Sequence, residues 1–361
     1  MINPQFWQGK RVFVTGHTGF KGSWLSIWLS SLGAQVCGFS LSPPTTPALF
    51  DEADVAQIMD SQSGDLRDSE AIACSVRAFQ PDIVLHLAAQ SLVRLSYQEP
   101  VTTYATNVMG SVHVLEAVRQ CPGVRALVMV TTDKCYENRE WDWGYRENEA
   151  MGGHDPYSNS KGCAELVTDA YRRSFFAGTE TAVASARAGN VIGGGDWAVD
   201  RLVPDILRAF GGGEPAILRN PLSVRPWQHV LEPLSAYLLL AERLYTQGQE
   251  VAQAWNFGPF EEDARPVEWI AHCMSQAWGQ GATWVLDESS SHPHEATYLK
   301  LDISRARSRL GWTPTWALGE TLGRIVQWHK AWMAGEDTRG LCLEEITRFS
   351  QTMGASSVVE P

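Results

Sequence analysis

Arg11-Val-Phe-Val-Thr-Gly-His-Thr-Gly-Phe-Lys-Gly22 sets the reading of the whole chain. Arg11 to Thr15 is a short apolar run stopping at Gly16, as expected of a strand buried on both faces of a parallel sheet. Leu25 to Leu32 then reads as a helix. Glycines at 16, 19 and 22 let the backbone turn tightly and approach a pyrophosphate, whose charge falls on the helix N-terminus. A dinucleotide is therefore the expected cofactor. The spacing is G-x-x-G-x-x-G rather than G-x-G-x-x-G, and Lys21-Gly22 does not complete a P-loop. An ordinary strand–helix turn is the bland alternative, and the place of the loop at the head of a βαβ unit speaks against it.

The same rhythm continues outward. Gln35 to Phe39, Asp82 to Ala89, Ala126 to Val130 and Ala182 to Ala186 read as strands, with helices over Val101 to Gln120 and Tyr157 to Phe176. Strands alternating with helices imply an α/β fold with a doubly wound, Rossmann-type parallel sheet. After about residue 190 the triplets Gly193–Gly195 and Gly211–Gly213, with several prolines, break the chain into shorter elements. We expect residues 1–190 to form the dinucleotide domain and 191–361 a smaller mixed substrate domain, with some chain returning to the first. No acidic residue ends the second strand at Gly38-Phe39-Ser40, so the carboxylate that would select NAD is missing there. Lys21 offers a charge for a 2′-phosphate, which leaves NAD against NADP open at this point.

Composition narrows the class. The chain has 361 residues, 29 basic against 41 acidic, for a formal charge of -12. That balance argues against general affinity for nucleic acid or anionic membrane. Seven scattered cysteines without a C-x-x-C pair imply reduced thiols, and no stretch has the length of a signal peptide core or membrane span. A cytoplasmic protein is expected. His292-Pro-His294-Glu295 offers donors but lacks a separated third ligand, so no metal is expected. The 15 tryptophans, Trp312, Trp316, Trp328 and Trp332 among them, are expected to pack in cores.

Tyr157-Ser-Asn-Ser-Lys161 opens a helix, and a four-residue spacing puts phenol and ammonium on one face. A positive charge nearby favours the phenolate, and a nicotinamide would add to it. Such a tyrosine can take a proton from a sugar hydroxyl as hydride leaves for the cofactor.

With these motifs in place the chain resembles the extended short-chain dehydrogenase/reductase superfamily along nearly its whole length. Gly64-Asp65-Leu66 resembles the adenine-binding turn, and His86-Leu-Ala-Ala-Gln90 the strand end beneath the nicotinamide half. Thr106-Asn-Val-Met-Gly110 is similar to the long helix, Arg225-Pro-Trp-Gln-His-Val230 to the substrate-arginine motif, and Leu310-Gly-Trp-Thr-Pro314 to the closing signature. The resemblance implies that NAD is bound by Gly16, Thr18, Gly19, Phe20, Lys21, Gly22, Asp65, Leu66, Leu87, Ala88, Ala89, Thr106, Thr131, Tyr157 and Lys161. It implies that Ser91, Arg94, Asn190, Arg201, Arg225 and His294 meet a nucleotide-sugar substrate.

Within that superfamily Thr131-Thr-Asp-Lys134 decides the branch. It lies at the carboxyl end of a strand, where ligands sit in open α/β sheets. Epimerases usually carry small hydroxyl residues there, whereas a 4,6-dehydratase needs a proton donor for the departing 6-hydroxyl, and Asp133 fits. The thymidine-diphosphoglucose enzymes typically show Thr-Asp-Glu, with Glu taking the C5 proton, but this chain has Lys134. Thr131-Thr-Asp-Lys-Cys-Tyr-Glu-Asn138 and Leu41-Ser-Pro-Pro-Thr45 resemble the cytidine-diphosphoglucose 4,6-dehydratases. The resemblance implies Thr132, Asp133, Lys134, Tyr157 and Lys161 as catalytic, and an NAD-dependent lyase. A dehydratase for another nucleotide sugar, a 4-epimerase and a silent dinucleotide sensor are the alternatives. Whether Lys134 is the C5 base or only positions groups stays open. Val108, Val112, Leu115, Leu166 and Val167 exceed what one sheet face needs, and the resemblance implies that their helices pair in a homodimer or homotetramer.

Overall fold

The computed structural model describes residues 2–287 and 297–356. Seven parallel strands form the central sheet, in the order β11-β6-β5-β4-β1-β2-β3. They are β1 (Arg11–Thr15), β2 (Gln35–Ser40), β3 (Asp60–Ser63), β4 (Ile83–His86), β5 (Ala126–Thr131), β6 (Ala182–Ala188) and β11 (Ala254–Phe257). The order reverses between β1 and β4, which makes the gap between their carboxyl ends the topological switch point.

Two buried faces explain why these strands read as unbroken apolar runs. Side chains alternate across a strand, so Val12, Val14, Ile83, Leu85 and Val128 meet one helical layer while Phe13, Val84, Leu127 and Met129 meet the other. The first layer holds α1 (Phe20–Ser31) and α6 (Leu231–Gln247). The second holds α2 (Ser69–Phe79), α3 (Gly110–Arg119) and α4 (Pro156–Tyr171). Alanines at 182, 184, 186 and 188 on β6 keep that strand thin where α6 lies against it.

The remaining elements stand over the carboxyl ends of the strands. α5 (Leu202–Gly211), α7 (Val267–Trp278) and α8 (Leu318–Met333) share a core with the short pair β8 (Ala216–Leu218) and β13 (Trp284–Leu286). Four more short strands, β7 (Val191–Ile192), β9 (Val224–Pro226), β10 (Gln228–His229) and β12 (Ala264–Pro266), complete two further two-stranded sheets. α9 (Thr338–Ser356) returns to lie on α1, setting the Phe349 ring 5.9 Å from that of Trp28. Trp312, Trp316 and Trp328 are buried in this first-layer core.

Three details differ from the sequence reading. α1 begins at Phe20 rather than Leu25, because Gly19 is already extended and supplies the N-terminal boundary. The helix expected over Val101 to Gln120 is broken by a π-turn at Ala105–Met109. There Asn107 points inward and clasps Gln90 in both directions, at 2.9 and 3.0 Å, so the loop after β4 is fixed by a side chain leaving the helical register. Leu115 is not surplus: it is fully buried beneath the sheet, whereas Leu166 is 61 % exposed. Among the described residues no cysteine is paired and no helix is long and apolar enough to cross a membrane.

Candidate active site

A cleft of about 830 Å³ opens over the switch point and the strand ends. Its floor begins in the glycine loop. Gly16 has φ +79°, and a Cβ there would stand 2.7 Å from the backbone of Ala88. A Cβ on Gly22 would stand 2.0 Å from the carbonyl oxygen of Gly16. The loop is therefore folded onto β4 and onto itself, with room for a pyrophosphate only because both positions lack side chains. Gly22→Ala should force this backbone apart, at a cost of about 1–3 kcal/mol as in other overpacked sites. The expected result is a lower melting temperature together with weaker dinucleotide binding, read by calorimetric titration with NAD.

Thr18 hydrogen-bonds Ser40 at 2.8 Å and donates to the Leu41 carbonyl at 2.9 Å, so its hydroxyl fastens the loop to the end of β2. Position 38, near the end of β2, is glycine because the His17 imidazole lies over it, 2.3 Å from where a Cβ would be. Beyond β2, Asp65 is bonded to Arg67 at 2.8 Å, which holds its carboxyl below the usual range. Leu66 puts its side chain in the second-layer core and accepts a hydrogen bond from His113 at 2.7 Å. Leu87, Ala88 and Ala89 follow the end of β4, the Ala88 N–H donating to Thr15 at 3.2 Å, and Thr106 is half-buried in the π-turn.

Lys21 corrects one expectation. Its ammonium does not face the end of β2, where an adenosine 2′-phosphate would lie. It faces into the cleft, near Lys161, Arg201 and Asp133 and 5.7 Å over the Tyr237 ring. Burial first, and then the charges of Lys161 and Arg201, lower its pKa to about 7. No basic group of the glycine loop is thus left for a 2′-phosphate.

The strand β5 delivers the chemistry. Thr131 ends it, and Thr132 caps a 3₁₀ turn over Asp133–Cys135, its hydroxyl 3.4 Å from the Lys134 N–H. Thr132 donates to Asp133 Oδ1 at 2.9 Å, and the Tyr157 phenol is hydrogen-bonded to Thr132. Asp133 is fully buried against Gly189, where any side chain would strike its carboxylate. Its Oδ2 has no protein partner, and burial raises its pKa against the pull of Lys134. A carboxyl held this way retains its proton more readily than a surface one. Tyr157 enters from the first turn of α4, which Asp155 caps through the Ser158 N–H at 2.9 Å. Its pKa is pushed up to about 12 by burial, opposed by the bond to Thr132 and the charge of Arg201.

Lys161 lies one turn further on, 5 % exposed, with its pKa lowered to about 8 by burial. Its hydrogen bond runs to the Val130 carbonyl at 3.3 Å rather than to the phenol. The spacing placed both groups on one face, and the structure directs the ammonium at the strand end.

Substrate-side residues form the far wall. Arg201 bonds Asp196 at 3.1 Å and Ser91 at 2.9 Å, and Arg94 reaches Asp200 at 3.5 Å. Asn190 has φ +28° and a buried Oδ1 without a partner. Arg225 is buried beside Asp133 and donates to the Val224 and Thr297 carbonyls. His294 lies outside the described residues. Among the described residues no group of three metal donors is found. The sequence reading missed Arg219, which lines the same wall and bonds Asp200 at 2.9 Å. It also missed Asp196 and Asp200, whose partners come from distant segments. Their only local signal was a charge pattern shared with ordinary surface loops.

A glycine loop at the switch point, with a tyrosine and a lysine one turn apart beside β5, defines a short-chain dehydrogenase/reductase of the extended type. The model of the GDP-mannose 4,6 dehydratase family matches residues 13–325, and the chain belongs to that family of nucleotide-sugar dehydratases. It is 61 % identical over 354 residues to the CDP-glucose 4,6-dehydratase of Salmonella typhimurium, covering 97 % of this chain and 98 % of that one. The dTDP-glucose 4,6-dehydratase of Xanthomonas campestris pv. campestris is 24 % identical over 345 residues, 89 % of this chain and 94 % of its own. Among solved structures, the fold matches Thermus thermophilus UDP-glucose 4-epimerase in complex with NAD with a TM-score of 0.77 at 24 % identity, covering 89 % and 99 %. It also matches Streptomyces venezuelae dTDP-glucose 4,6-dehydratase with a TM-score of 0.75 at 22 % identity, covering 91 % and 99 %.

Proposed function

We propose that this chain is an NAD-dependent hydro-lyase that converts CDP-D-glucose to CDP-4-keto-6-deoxy-D-glucose and water. The observation that carries this reading is the buried Asp133, linked through Thr132 to Tyr157 in a cleft whose far wall bears Arg94, Arg201 and Arg219. The likeness to the Salmonella enzyme along almost the full length of both chains supports cytidine as the base.

Bound NAD would supply the hydride acceptor for C4 and, in its reduced form, the hydride donor for C6. The glycine loop and the N-terminus of α1 would hold its pyrophosphate, and the missing basic group at the end of β2 favours NAD over NADP. Tyr157 takes the 4-hydroxyl proton while Thr132 hydrogen-bonds the same oxygen. The resulting 4-ketone acidifies C5–H. On this reading a neutral Lys134, which lines the cleft half-buried, takes that proton and returns it to C5 when C6 is reduced, while Asp133 protonates the departing 6-hydroxyl. Arg94, Arg201 and Arg219 offer planar forks to the diphosphate, exchanging carboxylate partners for phosphate. The bulk of residues 191–361 acts as the substrate-binding part. A 4-epimerase needs no acid at Asp133, and that residue argues against it.

Incubation with CDP-, dTDP-, GDP- and UDP-glucose tests the assignment directly. Formation of a 4-keto-6-deoxy product from CDP-glucose, without net release of reduced cofactor, is the expected result. Steady accumulation of reduced cofactor in step with sugar consumption would overturn it.

Such a product suits deoxyhexose synthesis for bacterial surface polysaccharide such as O-antigen, with the enzyme in the cytoplasm. Val101, Met109, Leu166 and Phe175 are exposed by 81, 48, 61 and 49 % along the outer helices, a face suited to a second copy of the chain. A homodimer or homotetramer is expected in sedimentation velocity, and a monomer at micromolar concentration would refute it.

A further inference from the structure

Behind the turn that carries Asp133 and Lys134 lies a buried ion pair with no part in the chemistry above. Arg187 on β6 and Glu165 on α4 are 3 % and 4 % exposed. Arg187 Nη2 donates to Glu165 Oε2 at 2.7 Å, and Ser185 donates to the same oxygen at 2.7 Å. The other carboxylate oxygen, Oε1, accepts from the Thr131 hydroxyl. Arg187 Nη1 donates to the Tyr136 hydroxyl at 2.7 Å and to the Glu147 carbonyl at 3.0 Å. Its guanidinium stands 5.0 Å from the centre of the Tyr136 ring. The Tyr136 hydroxyl in turn donates to Asn256 Oδ1 at 2.7 Å, on the edge strand β11.

One ion pair therefore grips both ends of the segment 131–136. Glu165 holds Thr131, where β5 ends, and Arg187 holds Tyr136, where the turn ends. Thr132, Asp133 and Lys134 lie between those anchors, with the Thr132 hydroxyl bonded to Asp133 and to the Lys134 N–H. The charge of Glu165 also supports that of Lys161 against burial. A bare structural pair is a poor device for stability, because desolvation of two charges offsets most of their attraction. Such a pair makes sense where geometry has to be fixed.

We propose that Arg187 and Glu165 are positioning residues that set where Asp133 and Lys134 stand relative to the sugar, with Tyr136 as the link from Arg187 to the turn. The inference rests on the roles given above to Asp133 and Lys134. It assigns the Arg187–Tyr136 arm of the pair to the elimination half of the reaction, since Thr132 stays held through Thr131 on Glu165 and Tyr157 through the Asp155 cap of α4.

Tyr136→Phe removes one hydroxyl and leaves the ring, which stacks on Tyr145 at 5.2 Å. Rapid mixing with CDP-glucose should show bound reduced cofactor forming at the parent rate. Product release of water should slow by about 10²-fold, the loss that a displacement of about 1 Å can bring. Reduced cofactor then accumulates on the variant, and KM stays at the parent value. Arg187→Lys, which keeps a buried cation but loses the fork, should show the same split. Equal loss in both halves, or a lower melting temperature with unchanged partition, would overturn the proposal, as would failure of both variants to fold. Failure of the parent protein to make the keto product would instead remove the functional reading, before any variant is compared.

Discussion

Asp133→Asn is expected to lower turnover by roughly 10²–10⁴-fold, the share that general acid catalysis supplies. The amide keeps the shape of the side chain and can still accept from Thr132, so the 2.9 Å contact and the turn survive. What it loses is the proton that the buried carboxyl would hand to the 6-hydroxyl. Oxidation at C4 draws on Tyr157, Thr132 and the cofactor, and should persist. Reduced cofactor should appear after substrate is added, and solvent deuterium should enter C5, while dehydrated product fails to form. Turnover near the parent rate would show that another group is the acid, and the distinction from an epimerase would lose its main support.

Tyr157→Phe should fall earlier in the sequence. The variant keeps the ring that α4 presents to the cleft, while the phenol bonded to Thr132 is gone. No base then takes the 4-hydroxyl proton, at a cost again of roughly 10²–10⁴-fold. Reduced cofactor, C5 exchange and product should all be missing together. Retained C5 exchange in this variant would separate proton loss at C5 from oxidation at C4 and would contradict the order of steps proposed here. The two variants together thus divide the reaction at the ketone.

Much of this was legible in the sequence because the strongest signals are local. β1, β2 and β5 showed as apolar runs, since both their faces are buried, and the glycine loop and Tyr157–Lys161 depend on spacing alone. The start of α1 was hidden because Lys21, Gly22 and Ser23 look like loop residues, although here they are turned into the cleft or the core. The direction of Lys21 could not be read either, for it depends on where Arg201 and Asp133 arrive from distant parts of the chain. Glu165 and Arg187 look in sequence like any exposed charges. Glu165 does stand four residues after Lys161, on the same helical face, and that spacing was the one available signal. The partners of Arg94 and Arg219 belong to a loop whose contacts form only when the elements over the strand ends close on the sheet.

The order in which the chain leaves the ribosome meets a difficulty in the edge strand and the last helix. β6 lacks its outer neighbour until Ala254–Phe257 has been made, and Trp28 lacks the Phe349 ring until more than 300 further residues have followed it. A nascent chain carrying only the glycine loop and the first six strands therefore bears an open strand edge and uncovered tryptophans, both prone to association. Fragments cut before Phe257 should be insoluble however native their local sequence. Productive folding has to wait until Phe349 has been made, or for a chaperone to shield the unfinished sheet.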